Sequence, residues 1–159
     1  MTRSHARAPK GKRAYAKVTT KRGKNVSLIG AIGLKGLLTQ VALFGSVNSL
    51  TFEAFIRQRL IPKLWKGACV VMDNCSVHLS PDIEAWIQEA GARLIYLPPY
   101  SPDFSPIENC WSKIKSILRS VEARTYPDLD KAIEEAFEQV SLEDLKGWFS
   151  HCCYCTSID

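Results

Sequence analysis

The sequence has no acidic residue before Glu53, although the 159-residue chain contains 16 Asp and Glu in all. Its first 25 residues hold nine Lys or Arg, and the formal net charge is +5. Because neutralised phosphates dominate nonspecific affinity for nucleic acids, this basic block predicts contact with phosphates. A solvated terminal arm is the alternative interpretation. The candidate contacts are Arg3, Arg7, Lys10, Lys12, Arg13, Lys17, Lys21, Arg22 and Lys24.

Long hydrophobic runs are also lacking. The most apolar window, SLIGAIGLKGLLTQVALF, contains Lys35, Gln40 and three glycines, so it predicts two strands and a turn rather than a membrane span. No apolar segment typical of a signal peptide follows the basic N-terminus. We therefore predict a cytoplasmic protein of about one domain that has no membrane partner.

Among the six cysteines only Cys152 and Cys155 stand at C-x-x-C spacing, and no second such pair or closely spaced histidine pair completes a common zinc pattern. The cluster HCCYC at 151–155 invites a metal-site interpretation, but adjacent cysteines rarely chelate one ion together. Reduced structural thiols are the prediction we prefer, since cytosolic proteins keep their cysteines reduced.

Strand and helix patterns alternate along the chain. Apolar runs at 25–33 and 37–44 flank a glycine-containing turn and predict a β-hairpin. Buried, parallel strands are predicted at 68–73 and 93–98, and helices at 48–62, 81–91, 106–121, 127–140 and 142–153. This order predicts an α/β fold in which helices flank one mixed sheet.

Asp73 ends the strand ACVVMD, and ligands collect at the carboxyl ends of parallel strands. A carboxylate there is suited to hold Mg²⁺ or Mn²⁺, which favour oxygen ligands. The alternative is a strand-ending turn, because the side chains of Asp73 and Asn74 readily bond to nearby backbone.

Glu108 follows the stretch LPPYSPDFSP, whose prolines stand at 98, 99, 102 and 106. Each proline fixes its own φ and removes a backbone donor, so this stretch predicts a rigid path that delivers Glu108 to one place. The alternative is a capping box formed by Ser105 and Glu108, a role worth about 0.5–2 kcal/mol of helix stability.

Three further side chains lie near these acids in sequence. His78 is either a ligand or base near Asp73 or a packed, hydrogen-bonding histidine. Lys113 and Lys115 follow Glu108 on the same predicted helix and are candidate DNA contacts, with a solvated helix face as the alternative.

The segments VVMDNCSVH and LPPYSPDFSPIEN together resemble the DDE transposases of the mariner-like superfamily, in the branch of bacterial insertion sequences. RAPKGKRAY, RGKNVSLIGAIG and GWFSHCCY extend the resemblance over nearly the whole chain. It implies an RNase H-like fold in which Asp73 and Glu108 are the second and third acids of a catalytic, metal-binding triad. Asn74 and His78 would neighbour that site.

The same resemblance implies chemistry and partners. Two Mg²⁺ or Mn²⁺ ions would serve phosphodiester cleavage and strand transfer in DNA transposition. The expected partners are transposon ends and target DNA, with a possible homodimer, and the expected location is the nucleoid within the cytoplasm.

The chain departs from the family pattern at its start. The first Asp of the triad, expected in a D-E-[S/T]-G-like segment, is missing, and so is the N-terminal helix-turn-helix region. We therefore expect a basic arm at 1–24 and an N-terminally truncated catalytic domain at 25–159 that lacks its first strand. Such a chain would be inactive alone unless another reading frame supplied an N-terminal segment. The alternative is a nonenzymatic DNA-binding remnant that modulates an intact transposase.

Overall fold

A computed structural model of the chain describes residues 7–13, 15 and 23–154. Four strands and five α-helices occur in this part. The strands are β1 (Val26–Gly33), β2 (Gly36–Phe44), β3 (Cys69–Met72) and β4 (Arg93–Tyr96). The helices are α1 (Ser49–Phe55), α2 (Pro81–Glu89), α3 (Pro106–Val121), α4 (Tyr126–Glu138) and α5 (Leu142–His151). Short helical turns occur at Ile56–Leu60, Ile61–Lys63, Ser76–His78 and Pro102–Phe104.

The strands form two separate pairs within the described residues. β1 and β2 make the predicted antiparallel hairpin, with a register shift between Ala31 and Ile32. β3 and β4 run parallel, as predicted, because α2 connects them as a crossover helix. The prediction of one continuous mixed sheet is wrong for this part of the chain, since neither pair hydrogen-bonds to the other. The α/β class itself is confirmed.

The hairpin is the middle layer of the molecule. Side chains alternate across a strand, so Leu28 and Ile29 point to opposite faces. Ile29 packs in a core with α1 and α2, and Leu28 packs against a second core formed by the C-terminal helices. Trp111 of α3 lies so close to the hairpin that a Cβ at Gly30 would stand 3.0 Å from its ring.

The β3–β4 pair is covered on one face only. Val70 and Met72 of β3 and Leu94 of β4 pack against the first core. On the opposite face Ile95 is 45% exposed. The prediction of fully buried strands is therefore wrong for this face, because no described residue completes its cover.

No helix among residues 7–13, 15 and 23–154 combines the length and the apolar character that a membrane crossing requires.

Candidate active site

Asp73 lies directly after β3, at the carboxyl end of the parallel strand pair. Its Oδ1 accepts a hydrogen bond from the backbone N–H of Cys75 at 3.1 Å. The same oxygen lies 2.6 Å from Nδ1 of His78, and the Asp73 side chain is 59% exposed. The turn interpretation is thus correct for Oδ1, whereas no partner among the described residues engages Oδ2.

His78 connects Asp73 to the first core. Its ring packs on Phe52 of α1, with ring centroids 4.2 Å apart. Its backbone carbonyl accepts a hydrogen bond from the Tyr96 hydroxyl at 2.9 Å. Only 20% of the His78 side chain is exposed. The packed, hydrogen-bonding interpretation of His78 is therefore correct, and this histidine also contacts the Asp73 carboxylate. Its role as a ligand or base stays a prediction.

Glu108 stands in the first turn of α3, after the proline path, by which we mean residues 97–106. The capping-box alternative is wrong: Ser105 is the N-cap residue, yet its side chain makes no capping hydrogen bond. The helix begins instead at Pro106, whose fixed φ suits a first helical position and whose side chain is buried. The exposed Glu108 carboxylate consequently has no hydrogen bond or ion pair within the described part of the chain.

Asp73, Asn74 and Glu108 line one cavity of about 420 Å³. The proline path supplies most of the remaining wall, including Pro98, Pro99, Tyr100, Ser101, Pro102 and Ser105. The structure thus brings together the two acids that the sequence separates by a strand and a helix. Their catalytic and metal-binding roles stay predictions.

The end of α5 holds the proline path in place, and sequence reasoning missed this contact. The Tyr154 hydroxyl donates a hydrogen bond to the backbone carbonyl of Phe104 at 2.9 Å. The Tyr154 ring also packs edge-on against Phe149, with centroids 5.7 Å apart. Burial raises the pKa of Tyr154, so its hydroxyl stays protonated to a higher pH than usual. The segment GWFSHCCY therefore supports the wall of the cavity.

The five described cysteines are free thiols. Cys110 and Cys152 are buried, and burial raises the pKa of Cys110 to about 11. Asn109, the neighbour of Glu108, lies within 3.9 Å of the Cys152 sulfur through its side-chain nitrogen. These contacts favour structural thiols for Cys110 and Cys152. Cys155 lies outside the described residues.

The predicted basic contacts fall into three groups. Arg3, Lys17, Lys21 and Arg22 lie outside the described residues, and Arg7, Lys10, Lys12, Arg13, Lys24 and Lys115 are exposed. Lys113 instead forms an ion pair with Asp144 of α5. Helix geometry explains the difference, because a residue seven positions after Glu108 lies on the same helix face and one five positions after does not.

The chain matches the family described as DDE superfamily endonuclease over residues 1–131. It is 25% identical to the transposable element Tc1 transposase of Caenorhabditis elegans over 91 residues, which cover 57% of this chain and 33% of that protein. The chain thus spans about a third of the length of this relative. The coarse part of the predicted resemblance, to Tc1/mariner transposases, is confirmed.

Solved structures of the Mos1 transposase share the fold. The chain superposes on the Mos1 strand transfer complex with a TM-score of 0.72 and 17% identity, over 96% of this chain and 46% of that chain. A structure of the Mos1 transposase catalytic domain and raltegravir with Mg gives a TM-score of 0.63 and 17% identity, over 84% of this chain and 75% of that chain. The predicted RNase H-like fold is confirmed, and the chain belongs to the family of DDE superfamily endonucleases.

Proposed function

We propose that this chain is the catalytic portion of a DNA transposase of the bacterial insertion-sequence branch, which cleaves phosphodiesters and transfers DNA strands. The observation that carries the proposal is the shared cavity of Asp73 and Glu108. The Glu108 carboxylate takes no part in capping α3, so it is free to bind a ligand. A site that positions carboxylates requires rigid supports, and here a strand end holds Asp73 and a proline-braced helix start holds Glu108.

The donor chemistry fits a hard divalent cation. Glu108, Asp73 and Asn74 line the cavity and carry side-chain oxygens, and Mg²⁺ and Mn²⁺ prefer oxygen ligands. When bound, a pair of such ions supplies Lewis-acid stabilisation of the attacking and leaving oxygens. The residues of this chain orient that donor set: His78 and the Cys75 N–H hold one oxygen of Asp73, and the proline path holds Glu108.

The face of α3 that carries Glu108 also suits a DNA backbone. Lys115 and Arg119 follow Glu108 by seven and eleven positions and are both exposed. Such spacings return to the same face of a helix and place the two cations roughly 10 and 16 Å along its axis. A DNA strand that entered the cavity would therefore run past both cations. The exposed basic residues of the arm at 1–24 would contact further phosphates.

The donor set is incomplete. Within the described residues no group of three or more His, Cys, Asp or Glu side chains is arranged to hold a metal ion. One edge of β1 and one edge of β3 also lack a partner strand there. We therefore propose that an N-terminal segment, encoded in a longer protein or another reading frame, supplies the first Asp and a strand. Transposon ends and target DNA would be substrates of the completed enzyme, which we expect to be a nucleoid-associated, cytoplasmic homodimer.

The absence of the first acid of the triad also supports a second candidate function. A chain that binds phosphates through its arm but cannot retain metal would be a nonenzymatic remnant, and it would modulate an intact transposase by occupying DNA. In both cases we assign 1–24 to the arm and 25–159 to the truncated catalytic domain.

A complementation assay separates the two functions. Supercoiled plasmid would be incubated with the full chain and Mg²⁺ or Mn²⁺, with and without an N-terminal segment that carries a D-E-[S/T]-G-like motif. The transposase proposal expects nicking only with both the segment and the metal ion. Asp73→Asn should abolish that nicking, whereas the control Asp130→Asn, an exposed carboxylate of α4, should retain it.

Salt-dependent plasmid binding without nicking under every complementation would favour the remnant. Nicking that survives Asp73→Asn would contradict the assignment of this cavity as the active site.

A further inference from the structure

Tyr100 has an unusual backbone and an unusual exposure for a tyrosine. It stands in the proline path with φ of 56°, in the left-handed region that disfavours residues with a Cβ. Its side chain is fully exposed, at 102% of the reference area. It makes no hydrogen bond or ring contact with any described residue. Nothing in the packing of this chain explains an aromatic side chain at this position.

The other positive φ values have local explanations. Among the described residues, the two other non-glycine residues with positive φ are Glu122 and Cys153. They follow the ends of α3 and α5, where helices commonly finish with a left-handed residue. At turns that end no helix, such as Gly45 and Gly67, the chain uses glycine. Tyr100 does not follow a helix end either. A tyrosine therefore stands at a kind of turn for which this chain uses glycine at other positions.

The proline path holds Tyr100 at the rim of the cavity. Pro98 and Pro99 precede it, Pro102 follows it, and the Ser101 hydroxyl bonds the Pro99 carbonyl at 3.3 Å. Tyr100 lines the same cavity as Asp73 and Glu108, and its side chain extends into solvent there. A backbone fixed in this way presents the ring with little conformational entropy left to lose on binding.

The size of the cavity limits which ligands could contact the Tyr100 ring. A volume of about 420 Å³ is in the range of a pocket for one small molecule. It accommodates a nucleotide rather than a stretch of duplex. Base–aromatic stacking is the common way in which proteins hold an unpaired nucleotide, and it tolerates any sequence because every base has a π face.

We propose that Tyr100 stacks on an unpaired nucleobase of the DNA strand whose phosphodiester enters the cavity of Asp73 and Glu108. This inference rests on the proposed function, since it takes DNA as the substrate of this cavity. Tyr100 would then bind substrate directly and hold the reacting strand out of the duplex beside the two carboxylates.

The test compares two probes with identical phosphates. A fluorescent single-stranded oligonucleotide and an oligonucleotide of equal length with abasic sites would be titrated against the full chain at low salt. Tyr100→Ala and Tyr100→Gly should weaken binding of the base-bearing probe by about 5- to 150-fold, the equivalent of about 1–3 kcal/mol for one stacked base. Tyr100→Phe should retain the affinity, and all four proteins should bind the abasic probe alike.

Two controls distinguish the ring from the backbone. Tyr100→Gly should melt at the same or a higher temperature, because glycine accepts the left-handed conformation, while it loses the base-dependent affinity. Trp65→Ala removes an aromatic ring that is 59% exposed but lies outside the cavity, and it should leave the preference for the base-bearing probe unchanged.

The outcomes separate the two proposals. The stacking role would be overturned if Tyr100→Ala weakened salt-dependent binding equally for both probes, or did not weaken it at all. Either result would leave the proposed function standing. Absence of any binding to either probe would overturn both.

Discussion

Two helices of this chain begin with a serine followed three positions later by an acid, and they use that acid in opposite ways. At α5 the Ser141 hydroxyl accepts a hydrogen bond from the Asp144 N–H at 3.1 Å, and Oδ2 of Asp144 accepts one from the Ser141 N–H at 2.8 Å. At α3 Ser105 and Glu108 form no such pair. The same spacing therefore gives a closed capping box in one helix and a free carboxylate in the other.

The difference lies in what surrounds each helix start. Asp144 also pairs with Lys113, so its carboxylate stabilises α5 and joins it to α3. At α3 the buried Pro106 fixes the first turn, and Tyr154 holds the path before it through Phe104. Because other groups fix that helix start, Glu108 is left for the cavity. Because the stability of α3 does not depend on the Glu108 carboxylate, that carboxylate is available for binding or catalysis.

The largest expected effect is on activity. We expect Glu108→Gln to lower metal-dependent nicking of the complemented protein by more than the about 10–100-fold that loss of an outer-shell partner of a metal site costs. Its free energy of unfolding should change by no more than about 0.5 kcal/mol, because the side chain has no partner to lose. Plasmid nicking and urea unfolding measure the two effects.

Glu89→Gln, at an exposed position of α2 outside the cavity, is the matched control and should leave both quantities unchanged. If Glu108→Gln nicked plasmid at the full rate, the assignment of Glu108 to the active site would be wrong.

The next effect concerns the two serines. Ser141→Ala should lower the free energy of unfolding by about 0.5–2 kcal/mol, because it removes the acceptor of a capping box. Ser105→Ala should change it by less than about 0.5 kcal/mol, since the Ser105 hydroxyl caps nothing. Equal losses in urea-unfolding measurements would mean that both helices are capped in solution and that Glu108 is not free.

A smaller loss is expected from the contact that braces the cavity wall. Tyr154→Phe removes the hydrogen bond to the Phe104 carbonyl and should lower the free energy of unfolding by about 0.5–1.5 kcal/mol. Tyr15→Phe, at a ring that is 88% exposed, is the control and should have no effect. Hydrogen exchange at the Phe104 and Ser105 amides should become faster in Tyr154→Phe only. Unchanged exchange there would contradict the bracing role.

The smallest effect is a dependence on pH. The hydrogen bond from Lys113, followed by that from the Ser141 N–H, lowers the pKa of Asp144 below its usual value. A lowered folded pKa gives stability that is present above the unfolded pKa of about 4 and is lost as the pH falls through the folded value. Asp144→Asn should therefore reduce the acid-induced loss of stability below about pH 4. Urea midpoints of Asp144→Asn and of the control Asp130→Asn, measured as the pH is lowered, test this prediction. Identical acid profiles of the two variants would contradict it.

Local sequence patterns predicted most of the elements. The hairpin, the parallel strand pair and all five helices follow from apolar periodicity together with proline and capping signals. The proline path predicted a rigid approach to Glu108, and Asp73 was predicted at the strand end where the structure has it. These features depend on residues that are near one another in the chain, so a sequence reveals them.

Features that depend on distant partners were not predicted. The Ser105–Glu108 spacing permits a box that the structure does not form, and no local pattern specifies the contact of Tyr154 with Phe104. The pairing of Lys113 with Asp144 likewise requires the packing of α3 against α5. The prediction of one sheet failed because adjacency of β1 and β3 is a tertiary property.

The hydrogen bond from Tyr154 to Phe104 joins residues that are 50 positions apart in the chain. A ribosome releases a protein from its N-terminus onward, so the proline path leaves the ribosome before the tyrosine that secures it. We therefore expect the wall of the cavity to stay loose on a nascent chain until α5 and Tyr154 have folded against it. A cavity built in this way is completed only when the residues around Tyr154 have left the ribosome, well after the proline path itself.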